Sequence, residues 1–338
     1  MARSQVASAV AVGVALACAA APAVGQPKIE KPMAGPRATV LQVTPLYVEA
    51  STTSQRITRV QIGREMVVAD NGGKWLRVYA NTDVEEEAEN DPDTPMVGSG
   101  SLPPPISGWV QAKGVVETTT PNGDQIIMGA AANEEALASD PRGPVNAAQS
   151  ARLLYRRVAE MFPNSALAGE AAWRAADIQW QLARTDNATL ASSHYRDPDM
   201  RPQIDETALR NVIKTYPHTR WAALADFDLI DNRLCGSWQG TTKCPEKEAE
   251  LYERYADEYP NGPKTARALY EAVYRMGVLT NMFQAAGKKR ESDEADKQAH
   301  ELVARMQSKF ADSEFTWRAG ALVYKLDENI PVYGIDLQ

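Results

Sequence analysis

The sequence predicts a two-part chain, β then α: a small β-barrel over residues 38–117 followed by an α-helical repeat array over residues 147–330. Two observations carry that prediction. From Ala38 to Val115 the chain is a series of short runs rich in Val, Ile, Thr and Tyr, broken mostly by Gly, Asn or Asp, as short strands with turns between them are. From Ala147 onward an aromatic residue recurs at the end of an amphipathic segment four times, which is an internal repeat.

The first residues read as a leader. Arg3 gives a positive start, an apolar run of small residues extends from Val6 to about Ala21, and Ala21-Pro22-Ala23 has the small-x-small form of a cleavage site. Together these mark residues 1–23 as a secretory signal peptide, with the mature chain starting near Val24 and residues 24–37 as a linker. A membrane anchor is the other reading, but the run is shorter than the roughly 20 apolar residues a span needs. Ala15-Leu16-Ala17-Cys18 resembles a bacterial lipobox with Leu16 two residues before the cysteine; only a lipidated Cys18 would bring the chain to a membrane. Otherwise Cys18 leaves with the leader.

The strand runs are Ala38–Val43, Leu46–Val48, Ile57–Ile62, Glu65–Ala69, Lys74–Ala80 and Gly108–Val115. Asp70-Asn71-Gly72-Gly73 is a hairpin turn, because Asn and Gly tolerate positive φ. Between Asn81 and Ser107 lies an insertion (81–107) holding Asp83, Glu85, Glu86, Glu87, Glu89, Asp91 and Asp93, with no Lys or Arg between Val78 and Ala112. That composition buries no core and predicts an acidic loop; a calcium loop would need spaced carboxylates that are not present. Residues 118–146, with breakers at Pro121-Asn122-Gly123-Asp124 and Asp140-Pro141-Arg142-Gly143-Pro144, read as a linker with a short helix near Asn133–Ala138.

The repeat is aligned on Phe162-Pro163-Asn164-Ser165, Tyr216-Pro217-His218-Thr219, Tyr259-Pro260-Asn261-Gly262 and Phe310-Ala311-Asp312-Ser313. Eight residues earlier stand Leu154, Ala208, Leu251 and Leu302; seven earlier Tyr155, Leu209, Tyr252 and Val303; four earlier Val158, Val212, Tyr255 and Met306. At about 100° per residue these positions share one helix stripe. Proline stops the helix, and the polar residues after it offer an N-cap to the next. Nine residues after each aromatic stands alanine, Ala171, Ala225, Ala268 and Ala319, as a close helix crossing demands. Glu253 falls on the solvated face in this register. The extra length between repeats falls in 183–203, 235–246 and 280–296, which read as polar insertions.

Leu46-Tyr47-Val48, Gly63-Arg64-Glu65-Met66-Val67-Val68, Lys74-Trp75-Leu76-Arg77-Val78 and Gly108-Trp109-Val110 follow in the order seen in bacterial SH3-like domains, which the segment resembles. The repeats resemble tetratricopeptide repeats, in particular those of the outer-membrane-assembly lipoprotein and of the Tol–Pal-associated cell-division coordinator. The resemblance implies a barrel that takes wall peptides or glycans, with Tyr47, Trp75, Tyr79 and Trp109 as a ligand groove. The alternative for Trp75 and Trp109 is to cover the core at strand ends.

Cys235 and Cys244 remain after processing. An even count in an oxidising compartment favours a disulfide across the turn-rich segment between them; a metal site would need further His or Cys close by in sequence. The chain has three histidines, His194, His218 and His300, and no His-Glu-x-x-His, Gly-x-Ser-x-Gly, phosphate-binding or dinucleotide motif. No catalytic residue, metal or cofactor is therefore assigned. A formal charge of −8 without a basic cluster argues against nucleic acid. The reading is an exported, periplasmic or envelope scaffold that binds protein partners through its repeats, with peptidoglycan as a second ligand of the barrel. His194, Tyr195 and Arg196, in the first inter-repeat insertion, are the candidate partner contacts. Two alternatives stand beside it: an accessory lipoprotein of outer-membrane assembly or cell division, and a cell-wall hydrolase.

Overall fold

The computed structural model describes residues 34–83, 106–238 and 240–332. The expected signal peptide with Cys18, most of the acidic insertion and most of the C-terminal tail at 331–338 lie outside the described residues. Strands are β1 (Arg37–Val40), β2 (Thr44–Tyr47), β3 (Arg56–Val60), β4 (Glu65–Asn71), β5 (Trp75–Ala80), β6 (Ile106–Gln111) and β7 (Val115–Glu117). All pair antiparallel, in the order β3-β2-β6-β5-β4-β1-β7.

The expected barrel is corrected to an open sheet, since β3 and β7 do not pair with one another. The sheet still curls: Val60 of β3 and Ala38 and Val40 of β1 share one core cluster with Leu46, Met66, Leu76, Val78 and Val110. Closure fails at β7. That strand has three residues, and its buried Val116 packs with the helices rather than with the sheet's own core. A helix covers the edge that a barrel would have paired. Within the sheet Gly108 is required sterically, because an added Cβ would lie 2.7 Å from Leu46 Cγ and 2.8 Å from the Tyr47 carbonyl oxygen.

The helices are α1 (Gly123–Ala138), α2 (Ala147–Met161), α3 (Ala168–Ala188), α4 (Thr207–Thr215), α5 (Arg220–Leu229), α6 (Lys243–Glu258), α7 (Thr265–Ala285), α8 (Lys289–Lys309) and α9 (Glu314–Asp327). The linker expected over 118–146 is corrected: most of it is α1, which buries Ile127 and Ala131 against Leu154, Tyr155 and Val158 of α2. The Tyr155 hydroxyl donates to Glu135 at 2.5 Å and Ser165 Oγ to Asp124 at 2.5 Å, so α1 is an integral layer before the first repeat.

Four helix pairs follow, α2–α3, α4–α5, α6–α7 and α8–α9, each turning at a junction aromatic. Phe162, Tyr216, Tyr259 and Phe310 are all C-caps with φ between −120° and −135°, and each donates its N–H to the carbonyl four residues back. Ala171, Ala225, Ala268 and Ala319 are all fully buried. Thr219 and Ser313 cap the following helix with their side chains; α3 and α7 have no side-chain cap.

Part of the extra repeat length is helix rather than loop. The first insertion begins inside α3, which runs to Ala188, and the third is largely the end of α7 and the start of α8. The polar start of α8 supports itself through i,i+4 pairs, Lys289–Asp293, Arg290–Glu294 and Lys297–Glu301. Glu253 is also corrected. It is half-buried beside α8 and accepts from Gln298 Nε2 at 2.7 Å.

Candidate interaction face

Sheet and stack are joined by a buried arginine. Arg157 of α2 is fully buried and donates to the Gly63 carbonyl at 3.1 Å, to Glu65 at 2.8 Å, to Glu160 at 2.6 Å and to Asp83 at 2.9 Å. Gly63, at φ 78°, makes the approach possible, since an added Cβ would sit 2.6 Å from Leu153 Cβ. Arg37 bonds the same Glu65 and Glu160, and the arginines hold the Glu65 carboxyl below its usual range despite its burial. Every charge in this cluster has an opposite partner, which is how a buried ionic network is tolerated. It is a mechanical joint.

The sheet's outer face carries the predicted aromatics. Trp75, Arg77 and Tyr79 alternate along β5 with the core residues Leu76, Val78 and Ala80. Trp109 lies opposite Arg77 on one side and opposite Tyr47 on the other. The Tyr47 and Trp75 rings meet edge-on at 5.6 Å, and the Arg56 guanidinium lies 5.9 Å from the Tyr47 ring. Half-buried Trp75 and Trp109 are thus gathered on the side away from the core cluster with Tyr47, which is itself buried at 4% exposed, and Tyr79 lies two residues further along β5. Trp75 and Trp109 do not close the core.

A second face lies on the stack. The position eleven residues after each junction aromatic meets positions five and eight of the next repeat. Trp173 stacks on Trp221 at 5.7 Å, Phe227 lies under Lys264 and Arg267, and Tyr270 packs with Phe315 and under Arg318. The same contact made at three interfaces defines a repeat stack. Beside it the inserted loops come together. Arg201 Nη1 donates to the Leu234 carbonyl at 2.7 Å, and Asn232 exchanges two hydrogen bonds with the Ile204 backbone. A Cβ on Gly236 would lie 2.2 Å from the Tyr195 carbonyl oxygen. His194, Tyr195 and Arg196 therefore rim the stack next to the Cys235–Cys244 bridge, whose Sγ atoms are 2.11 Å apart; Tyr195 is exposed. Glu248 pins the bridged loop by accepting from Cys235 N–H and Trp238 Nε1, and is itself paired with buried Arg275 at 2.7 Å.

Between repeats one and two, this face concentrates unsatisfied polar atoms. Six buried side-chain nitrogens or oxygens among the described residues have no hydrogen-bond partner, and four of them are here: Trp173 Nε1, Trp180 Nε1, Arg201 Nε and Asp228 Oδ2. The Trp173 indole faces Asp228 and that of Trp180 faces Asp231, yet neither closes a hydrogen bond of normal geometry. Burial, reinforced by the charges of Asp177 and Asp231, pushes the Asp228 carboxyl up to about 7. Burial also raises Asp177 and Asp231, although Arg184 pairs with Asp231 at 3.0 Å. Lys264, with Arg174 at Asp177, and Arg184, Arg267 and Arg201 at Asp231 offset part of this crowding, but burial still leaves all three carboxyls raised.

Asp177, Trp180 and Asp228 are not legible as a site in an acidic chain with carboxylates throughout. One signal does exist: Asp177 and Asp231 both stand fifteen residues after their junction aromatic. Among the described residues, no group of three or more His, Cys, Asp or Glu is placed to hold a metal ion, and no helix is long and apolar enough to cross a membrane. His218 is exposed in its junction, and His300 bridges Asp296 of α8 and Asp327 of α9.

No family model and no curated protein matches the chain. Among solved structures it is similar to a de novo designed helical repeat protein, DHR64, at 16% identity over 61% of this chain and 94% of that one, with a TM-score of 0.23. It is also similar to the DHF79 filament, at 16% identity over 59% and 95% with a TM-score of 0.21, and to the DHF119 filament, at 16% over 61% and 94% with 0.23.

Proposed function

We propose that this chain is a non-enzymatic, exported envelope scaffold. Its helical stack captures a protein partner by seating a basic side chain of that partner against Asp177, Asp228 and Asp231. The observation that supports this best is the crowding of three carboxylates, Asp177, Asp228 and Asp231, on one face of the stack. Three carboxylates crowded on one face, each raised by burial, are suited to an added positive charge. The rim from His194 to Arg196 and the bridged loop frame that face. Export rests on the leader-like start, and tetratricopeptide-like character on the junction register.

The outer face of the sheet is the second proposed site. It takes an extended wall peptide or glycan across Tyr47, Trp75 and Trp109, consistent with the SH3-like sequence order. The accessory-lipoprotein reading differs in requiring a lipidated Cys18.

Residues 24–338 would serve as bait in envelope extract, alongside Asp228→Lys and a Tyr47→Ala/Trp75→Ala pair, each checked by circular dichroism. The main partner should be lost with Asp228→Lys and retained by the sheet variant, with isolated wall material showing the reverse. Retention of the partner by folded Asp228→Lys would remove the stack's carboxylates from the function.

A further inference from the structure

Register lines up one row of side chains across four strands on the sheet's outer face. Arg56 of β3 lies opposite Tyr47 of β2, Tyr47 opposite Trp109 of β6, and Trp109 opposite Arg77 of β5. Trp75 stands two residues before Arg77 and meets the Tyr47 ring edge-on. In an antiparallel sheet the face turned away from the core is ordinarily polar. Here two half-buried tryptophans form its floor, and exposed Arg56 and Arg77 bound it on either side. Neighbouring strands lie about 4.8 Å apart, so the two arginine backbones are separated by up to about 14 Å.

These two arginines differ from those at the joint with the stack. Arg37, Arg64 and Arg157 all pair with carboxylates, whereas among the described residues no carboxylate pairs with Arg56 or Arg77. Asp70 stands opposite Arg77 on β4 but makes no ion pair with it. The Arg56 guanidinium rests beside the Tyr47 ring instead. An acidic chain of formal charge −8 thus presents two uncompensated guanidinium forks on one face. Such forks match a carboxylate bidentately.

The row also sets how a ligand must lie. It runs across the strands, and β2, β5 and β6 are each paired on both sides, so their backbone groups are engaged within the sheet. An added peptide strand needs open backbone groups, which a sheet offers only at its edge. Alongside β3 such a strand would reach Arg56 but not Arg77. A sugar ring needs no backbone partner. Its C–H groups pack on the negative face of an indole, and a carboxylate at the ring's edge is left for the arginines.

We propose that the ligand of this face is a carboxylate-bearing glycan strand laid across β3, β2, β6 and β5. Its sugar rings sit on Trp75 and Trp109, and its carboxylates on Arg56 and Arg77. The inference rests on the reading of this face as a ligand site and narrows it to one chemistry: an acidic saccharide, neither a neutral one nor a peptide.

Calorimetric titration of residues 24–338 with tetragalacturonate at low salt should show binding, weakened by added salt. Neutral cellotetraose, and tetraglutamate with the carboxylates but no sugar rings, should each bind about tenfold more weakly or worse. Arg56→Gln and Arg77→Gln change exposed side chains. Each should lower the affinity about tenfold with the melting temperature unchanged, and the pair should abolish measurable binding. Absence of tetragalacturonate binding to wild type, binding unchanged in the double arginine variant, or an equal affinity for tetraglutamate would overturn the inference. If isolated wall material binds wild type and the double arginine variant alike but is lost with Tyr47→Ala/Trp75→Ala, the aromatic site stands and the acidic-glycan inference alone fails. If wall material does not bind wild type, both fail.

Discussion

Asp228 is the residue whose environment costs the fold most visibly. Its folded-state value of about 7 lies well above the ordinary value of 3.8, with burial the first cause and Asp177 and Asp231 next. Between those limits the folded chain holds a proton that the unfolded chain has released, so stability falls as pH rises through the window, and the penalty is complete above it. Asp228→Asn keeps the shape and removes the charge. It should match wild type near pH 4 and exceed it near pH 8 by up to about 4 kcal/mol, since each pH unit separating the folded and unfolded values corresponds to roughly 1.4 kcal/mol. Urea denaturation at the two pH values checks this; equal stability at pH 8 would mean that Asp228 is solvated after all. A group retained at such a cost is a reasonable place to look for function. Sequence alone could not single it out, because burial, not residue type, distinguishes Asp228 from the other carboxylates.

At the scale of elements, the junction register is the most legible feature. Four aromatics adopt one C-cap geometry and four alanines are buried where the repeat alignment places them, because a tight helix crossing constrains residue size at one position in every copy. Ala225→Leu and Ala268→Leu should therefore each cost about 1–3 kcal/mol by overpacking. Glu253 is no control, being half-buried against α8, whereas exposed Glu250 is one, and Glu250→Ala should change little. Thermal melts of the three variants distinguish these outcomes, and indistinguishable melting temperatures would contradict the packing register. The third insertion is helical where its composition suggests loop, for a physical reason. A polar segment without proline can extend a helix into solvent when i,i+4 charges support it, as at Lys289–Asp293, and composition alone does not separate that from a loop. The sheet's closure is illegible for a similar reason: alternation reports which face is buried, not whether the last strand finds the first.

At the scale of the whole chain, the boundary between the β and α parts moves. Residues 118–146 read as a tether because Pro, Gly and Asn flank them. Those breakers instead bound α1, whose buried face is the small apolar set Ile127 and Ala131. The helix packs on α2 and shares a cluster with Val116 of β7, so it belongs to both parts. Two truncations follow from that placement. A chain of residues 118–338 keeps α1 over the first repeat and should melt as a cooperative unit. One of residues 147–338 strips Ile127 and Ala131 from Leu154, Tyr155 and Val158, exposing side chains that are now at most 1% accessible. Large apolar groups cost roughly 1.5–3 kcal/mol each when left uncovered, so the shorter chain should lose several kcal/mol and unfold first around α2. Urea denaturation of the two truncations, with hydrogen exchange reading α2 directly, makes the comparison. If the two melt together with equal protection in α2, α1 is a tether and the break at 146 is the true boundary.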